Sequence, residues 1–143
     1  MDIQLLIDTC RHRWAFEDVR VSQPASLQEV ESFEQELGRQ LSSTFRFYLF
    51  HLNGMNNQCD AEVLSFWSLE RIRSVPPRLS EDGLLKLIFC DFLIESHFYW
   101  LSIGPSGEDH GVHAGDPYSF EIASSFEAFL DLYLVNRDSV IYI

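Results

Sequence analysis

Residues 84–103, LLKLIFCDFLIESHFYWLSI, constrain the fold more than any other part of the chain. Two apolar runs, Leu84–Phe92 and His97–Ile103, are separated by the four residues Leu93–Ser96. Lys86, Asp91 and Glu95 interrupt the stretch, so it falls short of the ~20 apolar residues that a membrane-spanning helix needs. Each run has the length of a strand, and so short a connection makes the pair antiparallel. Strict alternation puts Leu85, Leu87, Phe89 and Asp91 on one face of the first strand, and Lys86, Ile88, Cys90 and Phe92 on the other. In the second, His97, Tyr99, Leu101 and Ile103 oppose Phe98, Trp100 and Ser102. Both faces are largely apolar, which predicts two central strands covered on both sides.

The polar letters inside this stretch admit several chemistries. A metal site would draw on His97, His110, His113, Asp91, Glu95 and Asp109. However, His110 and His113 form an HxxH pair in a Gly-rich segment, and the chain has neither HExxH nor a CxxC pair. Asp91 and Glu95 could act as paired carboxylates across a turn, although nothing marks a sugar-binding cleft. A nucleophile and base could be drawn from Cys90, Ser96 and His97, but apolar neighbours raise a thiol's pKa instead of activating it. No GxSxG, GxGxxG or Walker-type loop occurs. The simplest reading makes these residues the punctuation of a hairpin, where reversal of the chain leaves backbone groups in need of partners. No metal and no cofactor is expected.

The flanking sequence supplies helices. Ile3, Leu6, Ile7, Cys10 and Trp14 mark an amphipathic helix over 1–14, with Arg11, His12 and Arg13 suited to its C-terminus. Ser26-Leu27-Gln28-Glu29 is a capping box, followed by the stripe Leu27, Val30, Phe33, Leu37 and a stop at Gly38. Ser42 or Ser43 opens a third helix that Asn53-Gly54 ends. Residues 55–60 form a polar loop, 61–66 a strand, and 67–75 a helical turn with Trp67 and Leu69 inward. Pro76-Pro77 and Asp82-Gly83 bracket an exposed loop. Residues 104–111 read as a turn-rich loop and 111–113 as the start of a strand. Ser124-Ser125-Phe126-Glu127 reads as a second capping box, before a helix with Phe126, Phe129, Leu130 and Tyr133 inward. SVIYI at the end reads as an edge strand. Helices, then strands, then a helix give an α+β fold with a mainly antiparallel sheet packed by helices.

A length of 143 residues suits a single domain, and 12 Phe supply an ample core. Three cysteines without a CxxC pair indicate a reducing compartment, and an acidic N-terminus makes a poor signal peptide. A cytoplasmic protein is expected. The net charge of −12 is uneven, at −3 over residues 1–80 and −9 over 81–143. Direct binding of nucleic acid needs clustered Lys and Arg and is not expected. An acidic face suits a basic protein partner.

FCDFLIESHFYWLSI resembles the central strand-turn-strand signature of the SUKH superfamily (Smi/Knr-like proteins). Its usual form is phenylalanine-alanine-aspartate, an aromatic, a short connector and Ser-His. SLQEVESFEQELGRQL, FRFYLFHLNGM and EIASSFEAFLDLYL resemble further blocks of that family in the same order. Leu41-Ser42 departs from the family's Leu-Pro, and Met55 stands where a second Gly is common. The resemblance implies one SUKH-like domain over 1–143, with a core at 26–143 and an extra helix and connector at 1–25. It also implies a non-catalytic binding role. Bacterial members typically act as immunity proteins that occlude a cognate toxin domain, often a nuclease or deaminase, and eukaryotic relatives serve as regulatory modules. Both roles stay open, with a small metal-dependent hydrolase as a third. For a basic toxin domain the expected contact acids are Glu81, Asp82, Glu95, Glu108, Asp109 and Asp116, with Tyr99 or Trp67 as aromatic anchors or core residues.

Overall fold

The computed structural model describes residues 2–115 and 120–142. Its helices start and stop where the local chemistry requires. α1 (Ile3–Phe16) begins at Asp2, whose carboxylate accepts from the Gln4 amide at 3.0 Å. α2 (Leu27–Leu37) carries the reciprocal capping box of Ser26 and Glu29 and ends at left-handed Gly38. α3 (Ser43–His51) is capped by Ser42 and is followed by Asn53 and Gly54, both at positive φ. Gly54 has no substitute, because a Cβ there would lie 2.5 Å from the Trp67 carbonyl oxygen. Arg11 and Arg13 do not serve the end of their own helix. Arg11 donates to the His51 carbonyl at the end of α3, and Arg13 to the Tyr133 and Leu134 carbonyls near the end of the last helix. They satisfy orphan carbonyls of neighbouring helices.

Among the described residues the sheet has six strands: β1 (Leu64–Phe66), β2 (Arg78–Leu79), β3 (Leu85–Phe92), β4 (His97–Ile103), β5 (Asp109–Ala114) and β6 (Phe120–Ala123). The order is β1-β3-β4-β5-β6, all antiparallel, with β2 beside β1 on the same edge of β3. A short helix, α4 (Leu69–Arg73), follows β1, and α5 (Phe126–Val135) with a 3-10 turn (Arg137–Val140) closes the chain. This is the expected α+β fold with a mainly antiparallel sheet. Every residue of β3 is buried, as a central strand requires. No helix among the described residues is long and apolar enough to cross a membrane.

Phenylalanines fill the space between sheet and helices. Phe126 meets Phe45 edge-on at 4.9 Å between ring centroids and Phe89 at 5.6 Å, and Phe89 meets Phe129 at 5.3 Å. Edge-to-face contacts of this kind place positive ring edges on negative faces. Trp14, Phe66 and Tyr133 continue the cluster beneath α1.

Several expectations are corrected. A bulge between Ile88 and Cys90 breaks the alternation in β3. Phe89 packs on α5, and Cys90 pairs in register with Phe66, which also faces α5. Asp91 is thereby turned to the opposite face, away from Phe89. The strand at 61–66 shortens to 64–66. The loop at 76–83 contains β2, and β5 begins at Asp109, which puts His110 and His113 on a strand. The Ser124–Glu127 capping box is absent. Ser125 is the N-cap of α5, its hydroxyl accepts from the Ala128 amide, and Asp109 supplies a carboxylate to the Phe126 amide at 2.7 Å. The final segment is a 3-10 turn and coil over its described residues. The Tyr99 hydroxyl donates to the Val140 carbonyl, and the Tyr142 hydroxyl donates to that of Phe98, so side chains hold this tail where ladder bonds were expected.

Asp60 ties the two ends of the chain to the sheet. It is buried, and one oxygen accepts from the Glu62 and Leu64 amides at 2.9 Å. The other accepts from the Tyr133 hydroxyl at 2.5 Å and from Arg137 at 3.0 Å. Trp14 donates to the same hydroxyl, and Arg137 forks onto Glu17 at 2.8 and 3.0 Å. Burial pushes the Glu17 carboxyl up. The Arg137 hydrogen bond, the Ala61 amide and the charges of Arg137 and Arg13 outweigh it and hold the group below its usual 4.5. Asp60→Ala leaves a guanidinium and a phenol without their acceptor and is expected to cost about 3–5 kcal/mol in urea unfolding. A lowered native pKa contributes stability above the ordinary value, and the contribution is lost as pH falls through the native value. The wild-type advantage over Glu17→Gln should therefore be complete near neutral pH and vanish in strong acid.

Candidate protein-interaction site

Arg71 gathers the polar residues of the sheet's second face. α4 is positioned by Asn53, whose side chain accepts from the Leu69 amide at 2.8 Å and donates to the Gln23 carbonyl at 2.7 Å. One helical turn beyond Trp67, the Arg71 guanidinium lies over the indole ring, 4.2 Å from its centroid. It meets Asp91 at 3.1 Å and Glu95 at 3.6 Å. The Trp67 indole N–H donates to Asp91 at 2.6 Å. The second Asp91 oxygen accepts from the Glu95 amide at 3.1 Å, inside the hairpin turn. Asp91 is only 2% exposed, and these donors replace the water that burial strips from its oxygens.

The turn itself is unusual. Leu93, Ile94 and Glu95 have φ values of 55, 52 and 61°. Left-handed backbone costs a residue with a Cβ about 1–2 kcal/mol, and a β-branched residue such as Ile94 is a pronounced outlier there. Three bonds hold it: Leu93 N–H to the Val63 carbonyl, Ser96 N–H to the Leu93 carbonyl, and Glu95 N–H to Asp91. Ile94 is 82% exposed at the tip.

Open clefts flank Arg71. One of about 590 Å³ is lined by Gln23, Asn53, Asn56, Asn57, Glu70 and Arg71 among others. The second, of about 490 Å³, lies between Cys59 and the hairpin and includes Ser65, Arg71, Asp91, Ile94 and Glu95. The first is lined largely by amides, hydroxyls and charges, and the second adds the apolar Ile94 and Cys59 to its polar groups.

The six predicted acids do not form one patch. Leu85, Ile103 and Asp109 adjoin at one end of the sheet, so Glu81, Asp82, Glu108 and Asp109 cluster there. Glu95 lies at the other end of β3, roughly 23 Å away at 3.3 Å per residue. Asp116 lies outside the described residues. Asp109 is committed to the Gly111 and Phe126 amides, and Asp82 to Ser80 and the Leu84 amide. Glu81, Glu95 and Glu108 are exposed. Tyr99 and Trp67 are buried and hydrogen-bonded inside, which removes both as anchors. Arg71 and Ile94 were missed by the sequence reading. Their only signals were the i, i+4 spacing of Trp67 and Arg71 and an apolar letter in a polar turn.

Of the groups considered for catalysis, Asp91 and Glu95 are brought together, but on the Arg71 guanidinium that both carboxylates meet. His97 packs against Phe92 and Tyr142, and no hydrogen bond links it to Cys90 or Ser96 among the described residues. Burial lifts the Cys90 thiol well above its usual value and the Cys10 thiol to about 12. His113 Nδ1 lies 3.1 Å from the Ser102 hydroxyl, to which Lys86 donates at 2.7 Å. Burial and then the Lys86 charge push His113 down. His110 is exposed beside Glu108 at 3.5 Å. Among the described residues no three His, Cys, Asp or Glu side chains are grouped to hold a metal ion.

A model of the SMI1 / KNR4 family (SUKH-1) matches residues 24–132, well over half of the chain. The match takes in Arg71, Asp91 and the whole hairpin. No curated protein matches the chain.

Two outcomes follow from this geometry. Arg71→Ala removes the ion-pair partner of a buried carboxylate and should cost about 3 kcal/mol in denaturant unfolding. A thiol reagent should titrate Cys59 alone in the native protein and all three cysteines in urea, because only Cys59 is exposed.

Proposed function

The chain belongs to the SMI1 / KNR4 family (SUKH-1), and on that footing we propose that it is an immunity protein, which binds a cognate toxin domain stoichiometrically and blocks its active site. The observation that carries this reading is the charge distribution on a fold of this family. Residues 81–143 hold a net −9, and the exposed carboxylates Glu81, Glu95 and Glu108 lie on loops at the two ends of the sheet. A toxin domain that grips phosphate backbones is basic, so an acidic cover steers encounter and competes with the substrate for the same surface. Asp82, Asp109 and Asp116 belong to the same proposed set, with Asp82 and Asp109 also holding their own loops. Occlusion asks for no chemistry from the immunity protein, only a preorganised surface.

Co-expression with the protein encoded beside it provides the test. Rescue of growth and a 1:1 complex on gel filtration are expected. Association should slow about tenfold or more between low and physiological salt, as steered encounters do. A complex without rescue, or a flat salt profile, would count against the reading.

A further inference from the structure

Ile94 is the least expected residue of the hairpin. A glycine would adopt its left-handed φ of 52° without strain, and the exposed side chain packs little inside the molecule. The turn is nevertheless held in one conformation by the Val63 carbonyl, the Leu93 carbonyl and the Asp91 carboxylate. Arg71, stacked on Trp67, in turn holds Asp91 and Glu95. The result is a rigid apolar prong beside a cleft of about 490 Å³. Glu95 is exposed on the tip itself, and Glu62 is exposed next to Val63, whose carbonyl holds the turn.

We propose that the tip Leu93–Ile94–Glu95 is the anchor of the partner interface: Ile94 enters an apolar pocket on a basic protein domain, while Glu95 and Glu62 meet the cations around that pocket. This rests on the immunity reading above and deepens it by naming the surface. A preformed apolar residue at the centre of a charged rim has the anatomy of an interface hot spot, and its order is built into the free protein, so binding carries little further ordering cost.

Stability and affinity should move apart on one substitution. Ile94→Gly relieves the backbone and is expected to melt no lower than the wild type. It should bind the protein encoded beside this chain at least about 30-fold more weakly, the loss that marks a hot spot. Ile94→Val keeps a branched apolar tip and should stay within about fivefold. Leu79→Ala, an exposed apolar residue at the opposite end of the sheet, should bind as the wild type. Calorimetric titration of all four proteins gives the answer. A wild type that does not bind overturns the immunity reading and this assignment together. A wild type that binds, with Ile94→Gly equally tight, overturns the tip alone. Self-association of the free chain that disappears in Ile94→Gly would make the tip a contact between copies and would also overturn the proposal.

Discussion

Asp91 is a carboxylate in the middle strand of a sheet, and three separate pieces of chain take their position from its two oxygens. The indole of Trp67, the guanidinium of Arg71 and the amide of Glu95 all converge on it. Stripping water from such a group costs several kcal/mol, and only a full set of donors offsets that. Each donor is therefore obligatory: the corner after β1, helix α4 and the turn of the central hairpin have one arrangement in common that satisfies the charge. The bulge at Ile88–Cys90 makes this possible. Without it, Asp91 would face the phenylalanine layer, where no donor waits.

The opposite face of the sheet is held by different means. Rings of Phe45, Phe89, Phe126 and Phe129 meet edge to face, so dispersion and ring electrostatics act where hydrogen bonds cannot. At the rim of that layer Asp60 joins α1, α5 and the terminal turn through Tyr133 and Arg137. Residues 1–23 and 133–143 lie outside the family match, yet Ile7, Cys10, Trp14, Tyr133 and Val140 are buried in the same core. The segments that flank the matched region thus contribute side chains to the same core as the region itself.

Local rules were legible in the sequence where both partners lie a few residues apart. Ser26 and Glu29 close a capping box, Asn53-Gly54 ends α3, and the hairpin at 84–103 folds as its two apolar runs require. What was hidden depends on residues brought together by the fold. Asp109 caps α5 from 17 residues away, Arg11 and Arg13 serve other helices, and Tyr99 claims the carbonyl that an edge strand would have used. The bulge leaves no letter in the sequence, since its neighbours are apolar on either face. The acids read as one surface are divided because a hairpin carries residues adjacent in composition to opposite ends of a strand. Arg71 has no local signal beyond its i, i+4 spacing from Trp67; its meaning lies in Trp67 and Asp91.

The margins of the sheet have a further consequence. Among the described residues, one side of β3 is lined by a three-residue and a two-residue strand, with the Trp67 amide closing the gap onto the Phe89 carbonyl. The far margin, β6, is four residues long and carries Glu121. Borders this brief and charged give a foreign chain almost nothing to zip against. In the free protein the ladder bonds of the long central strands are therefore taken up within its own sheet.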